Sequence, residues 1–150
     1  MRRREMFRGI LRGLLVGAGA IVGLQPITAA TTAASDRPKV AYHLDDTDKV
    51  SFVLGNIHNH FTGTNGNADI VLVVHGPALS VFRTAGQGAA LSERFARLTR
   101  AGLTPFACSH TMQGLDISLG DLLPGFAVAE NGGVVKLAEL QTKGYAYLRP

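Results

Sequence analysis

A chain of 150 residues has the length of one domain and can bury a single core. Hydrophobic residues make up 46% of it and charged residues 17%, which excludes an intrinsically disordered chain. The formal net charge of +4 comes entirely from Arg2, Arg3, Arg4, Arg8 and Arg12 set against Glu5, because residues 31–150 hold ten basic and ten acidic side chains. A body with balanced charge offers no electrostatic footprint to a phosphate backbone, so no nucleic-acid partner is expected.

Residues 1–34 read as a signal peptide, with the domain proper at 35–150. A basic segment, Met1 to Arg12, precedes twelve uncharged residues, Gly13 to Leu24. A membrane-spanning helix needs about twenty apolar residues, so this stretch is short for a span. Small residues follow, Thr28 to Ser35, and cleavage after Ala30 or after Ala34 fits them equally. The run Arg3-Arg4-Glu5-Met6-Phe7-Arg8 resembles a twin-arginine signal, the export route for folded proteins. An ordinary secretory signal and an uncleaved anchor are the alternatives. The expected location is the periplasm, with no membrane contact in the mature form.

Beyond the leader, short apolar runs alternate with helical periods. Val40–Leu44 is a buried strand ended by Asp45-Asp46, and Asp46 or Thr47 caps the helix that follows. That helix carries Val50, Val53, Leu54, Ile57 and Phe61 as one apolar stripe and stops near Gly63. Asp69–Val74 is a strand without alternation, as expected for one covered on both faces. A second helix spans Ala89 to Arg100 and closes at Gly102. Leu103–Cys108 is a third strand. A short helical piece follows, with Ser109 or Ser118 as its cap. Phe126–Ala129 is a fourth strand, Gly133–Lys143 a helix, and Tyr145–Leu148 a last strand. Strands separated by helices imply right-handed crossovers. The expected fold is therefore a three-layer α/β sandwich with a mostly parallel sheet of about five strands, flavodoxin-like in outline.

In such sheets ligands sit beyond the carboxyl ends of the strands. Three residues fall there: His43, His75 and Cys108. A histidine beside a cysteine takes the thiol proton or stabilises the thiolate, and a helix start after Cys108 favours the anion too. The single cysteine of an exported chain cannot close an internal disulfide, so it is either buried and inert or free to react. His43, His75 and Cys108 would also make a three-ligand metal set, but no HExxH, no CxxC and no acidic residue at ligand spacing accompanies them. No metal is expected. Asp45, Asp46 and Asp48 read as helix-start residues. Gly86-Gln87-Gly88 lacks the rest of a phosphate loop, and no G-x-S-x-G elbow occurs.

Several segments together resemble the DsrE/DsrF-like family, in its exported or stand-alone members. They are Val40–Leu44, Asn56–His60, Val73–Pro77, Phe106–Met112 and the ending Leu137–Pro150. The most specific pieces are Ala107-Cys108-x-x-Thr111 and Leu140-Gln141-x-x-Gly144-Tyr145-Ala146-Tyr147-x-x-Pro150. The resemblance implies a three-layer α/β fold, assembly into small homo- or hetero-oligomers, and a cysteine, here Cys108, that carries sulfane sulfur as a persulfide. The partners implied are sulfur donors and acceptors, either proteins or small sulfane-sulfur compounds. No organic cofactor is required. Export departs from the cytoplasmic habit of the best-understood members. The alternatives are a non-enzymatic binding module with a packed cysteine, and a redox protein that forms a mixed disulfide with a partner.

Overall fold

A computed structural model describes residues 37–150 apart from Gln87; the leader expected at 1–34 lies outside the described residues. Five strands form one sheet: β1 (Lys39–Leu44), β2 (Asp69–Val74), β3 (Thr104–Cys108), β4 (Ala127–Ala129) and β5 (Ala146–Leu148). Every pairing is parallel, in the order β4-β3-β2-β1-β5. Four α-helices connect them: α1 (Val50–Gly63), α2 (Ala89–Arg100), α3 (Ser109–Gly114) and α4 (Gly133–Thr142). Among the described residues no helix is long and apolar enough to cross a membrane.

Strand periodicity sorts the side chains into two unequal layers. Val40, Tyr42, Leu44, Ile70, Leu72 and Val74 point to the side of α1, α2 and α3, where the large core lies. Phe82, Phe95 and Phe126 pack there with ring centroids 5.1–5.3 Å apart. Full burial of one such ring contributes about 1.5–3 kcal/mol. Ala41, Val71 and Val73 point to the other side and form a smaller cluster with Leu137 and Leu140 of α4, against which Phe106 and Tyr145 pack. One helix thus covers a five-stranded face, and Val134, Val135 and Tyr147 stay exposed on that side.

The helix starts follow local chemistry. Asp46 accepts the Asp48 N–H at 2.9 Å and opens a turn of 3₁₀ helix, Thr47–Lys49, that leads into α1. Ser118 and Asp121 close a capping box on a second 3₁₀ turn, Leu119–Asp121. A third 3₁₀ segment, Gly76–Phe82, fills the long connection after β2 and buries Ala78, Leu79 and Phe82. The cap of α3 is Cys108, not Ser109, which is the first helical residue and donates its hydroxyl to the Glu130 carbonyl at 2.8 Å.

The chain order places the crevice. β3 runs on into α3 on the large-core side, whereas β4 runs on into α4 on the opposite side. Their carboxyl ends therefore diverge, and Cys108 stands at that parting, level with Ala129.

Candidate functional site

Because all strands are parallel, His43, His75 and Cys108 share one rim. Cys108 ends β3 and is 6% exposed. Burial raises its thiol, but polar groups outweigh that effect and hold it below the ordinary thiol value. In decreasing order they are the Gly133 N–H, the Thr111 hydroxyl, the Thr111 N–H and the His110 N–H. Thr111 is set for this by its neighbour: its Oγ1 accepts the Gly76 N–H at 2.9 Å, which leaves the hydroxyl proton free for the sulfur. No histidine is among the groups that lower the thiol.

The turn before α4 makes the close approach possible. Gly132 has φ 93° and ψ 158°, a conformation that only glycine adopts without strain of about 1–3 kcal/mol. A β-carbon there would lie 2.9 Å from His110 Nδ1. A β-carbon on Gly133 would lie 3.3 Å from the Cβ atoms of both Cys108 and His75. Two bare backbone positions thus let the first amide of α4, that of Gly133, approach the thiol, with His75 also against Gly133.

The histidines form a unit of their own. His43 and His75 face each other through Nε2 atoms 2.5 Å apart, with rings stacked at 4.6 Å. His43 Nδ1 and the Tyr147 hydroxyl share a hydrogen bond of 2.7 Å. Burial lowers the His43 pKa, the charge of His75 lowers it further, Asp45 opposes the shift and Arg149 adds to it. Asp45 is more than a helix-start residue: its Oδ2 accepts from Arg149 Nη2 at 2.7 Å, and its carboxylate approaches both histidines. His58 and His60 stand apart from the rim on α1, where His60 Nδ1 lies 3.1 Å from the Tyr42 hydroxyl.

His43, His75 and Cys108 thus share one rim, as the strand ends imply, but they are not joined as a cysteine–histidine pair. His43 and His75 meet directly, and Cys108 is served by amides and a threonine. Thr111, Gly132, Gly133, Asp45 and Tyr147 were not singled out as site residues. Of these only Thr111 and Tyr147 carried a signal, through the segments that resemble the family.

The comparisons agree with the fold. The family model described as the DsrE/DsrF-like family matches residues 27–150. No curated protein matches the chain. A protein of unknown function from Methanobacterium thermoautotrophicum is 29% identical with a TM-score of 0.67, over 75% of this chain and 99% of that one. A conserved protein of unknown function from Bacteroides thetaiotaomicron is 16% identical with a TM-score of 0.62, over 79% of this chain and 99% of its own. The ychN protein from E. coli is 16% identical with a TM-score of 0.56, over 75% and 99%. The last two likenesses concern the fold alone. With the matching model spanning the whole described domain, the chain belongs to the DsrE/DsrF-like family.

Proposed function

We propose that the protein is a sulfur carrier in which Cys108 holds sulfane sulfur as a persulfide and passes it to an acceptor thiol. The observation that carries this reading is a thiol at the diverging ends of β3 and β4, which the Gly133, Thr111 and His110 amides and the Thr111 hydroxyl hold below its ordinary value. Donors without an opposing acid favour an anion on sulfur. The thiolate would attack the outer sulfur of thiosulfate. A sulfur–sulfur bond forms at Cys108, the bond to the sulfonate breaks, and sulfite leaves with the electron pair. An acceptor thiolate then attacks the outer sulfur of the persulfide and restores the Cys108 thiolate. Neither step needs an oxidant. His75 borders this centre at Gly133, and no hydrogen bond joins either His43 or His75 to the sulfur. The test is the intact mass of the protein after incubation with thiosulfate or polysulfide, with Cys108→Ser as control.

The 6% exposure of Cys108 favours a second reading, a binding module of the same fold with a packed cysteine. Absence of any mass gain would favour it.

Export and self-assembly belong to the first reading. The paired arginines and the short apolar stretch support export, and the exposed Val134 and Val135 of α4 and Tyr147 of β5, on the thinly covered side of the sheet, support assembly. The exported form should begin between Thr31 and Asp36 and sediment above the monomer mass at micromolar concentration. N-terminal sequencing and sedimentation check this. An intact Met1 on a membrane-bound protein, or a monomer, would contradict it.

A further inference from the structure

From the convergence of His43, His75 and Asp45 on one point at the sheet rim, we infer that the protein binds a divalent first-row transition-metal ion there, separately from Cys108. The inference rests on the ends of β1 and β2 and does not depend on the sulfur-carrier reading.

The register makes the cluster. Leu44 pairs with Val74, so Asp45 and His75 are the next residues out, while His43 lies one step back opposite Val73. Alternate positions of a strand point to one face, which brings His43, Asp45 and His75 together on the α4 side of the rim. Their ligand atoms all lie within 4.8 Å of one another, the one such group among the described residues. Two imidazole nitrogens 2.5 Å apart share a proton in this arrangement, and bonds of about 2.0–2.1 Å to a metal would part them to roughly 3.3 Å. Asp45 adds a carboxylate to the same point, a third ligand and the one anionic member of the set. Two imidazoles and one carboxylate suit zinc and its neighbours and leave a coordination position open.

The surroundings fit. His43 is 9% exposed, and Tyr147 holds its Nδ1, the outer contact that fixes a metal-bound imidazole in orientation and tautomer. In front of His43 and Asp45 lies a cavity of about 340 Å³ whose wall includes Lys49 and Arg149. Those cations favour a small anion as the exogenous ligand. Arg149 also occupies Asp45 in the metal-free arrangement, so the metal must draw the carboxylate away from it.

The test uses tag-free protein stripped with a chelator and titrated with Zn²⁺ by calorimetry and with Co²⁺ by visible absorbance. One Zn²⁺ should bind per chain. Asp45→Asn and His75→Gln should each weaken it by about 10–100-fold or more, in the range seen when metal sites lose a supporting group. Cys108→Ser should leave the affinity unchanged, and the Co²⁺ complex should lack a thiolate charge-transfer band. Arg149→Met should tighten binding by freeing Asp45. Where His75→Gln fails to fold, Asp45→Asn decides, because its side chain is part-exposed and its removal opens no core. Failure to take up Zn²⁺ would mean that the histidines share only a proton and would overturn the inference. So would an undiminished affinity in Asp45→Asn, or binding lost in Cys108→Ser. Neither a gain nor a loss of persulfide in any variant bears on this outcome.

Discussion

Incubated with thiosulfate at neutral pH, the native protein should gain about 32 Da per sulfur bound, reversible by a thiol reductant, while Cys108→Ser gains nothing. The loss in the variant should be complete, because the chain holds one cysteine and no other residue can form the sulfur–sulfur bond. The serine fits the space left by the thiol, and its hydroxyl can accept from the same donors, so the fold should survive. Near-UV circular dichroism of the variant checks that point. A mass gain that persists in Cys108→Ser would remove the thiol from the account.

The second large effect concerns Thr111. Its hydroxyl accepts the Gly76 N–H and is one of the groups that lower the thiol, so it links the start of the 3₁₀ segment to the thiolate. Thr111→Val keeps the shape, removes the donor to sulfur and leaves the Gly76 N–H without its acceptor. A hydrogen bond to a charged group contributes about 1.5–3 kcal/mol, so persulfide formation at neutral pH should slow by about 10–100-fold. Thr111→Ser restores the hydroxyl and should restore most of the rate. A structural role alone would lower stability in the valine variant without moving the pH midpoint of thiol reactivity. The account expects that midpoint to rise. An unchanged midpoint with a normal rate would show that Thr111 does not serve the sulfur.

Much of the fold was legible, and for physical reasons. Asp69–Val74 and Ala89–Arg100 match their expected bounds because one is an unbroken apolar run and the other a strongly amphipathic period. Short elements were placed within a residue or two, as at Phe126–Ala129 against the observed Ala127–Ala129. The 3₁₀ segment Gly76–Phe82 was not legible, since buried Ala78, Leu79 and Phe82 fit no regular period over so short a span. At the site, the strand ends could be read but not their neighbours. Ser109 looks like the cap by residue type, yet the extended backbone of Cys108 puts the cap one residue earlier. Gly133 reaches Cys108 across 25 positions of sequence, and Arg149 reaches Asp45 across 104. Contacts of that kind depend on strand order, which the spacing of residues does not fix. Asp45 resembles its neighbours Asp46 and Asp48, and only the pairing of β1 with β2 separates its role from theirs.

The most direct measurement is the rate at which Cys108 reacts with a small alkylating agent, followed against pH in the native protein and in the chain unfolded by denaturant. The donors around the sulfur lower the native thiol below its ordinary value, so the thiolate should persist to lower pH in the folded protein. The native rate should reach its half-maximum at a lower pH than the unfolded rate and should exceed it near neutrality. A native rate suppressed many-fold at every pH would mean that Cys108 reacts only when the core opens. Together with the absence of a persulfide, that result would contradict the sulfur-carrier account and leave the packed-cysteine module in its place.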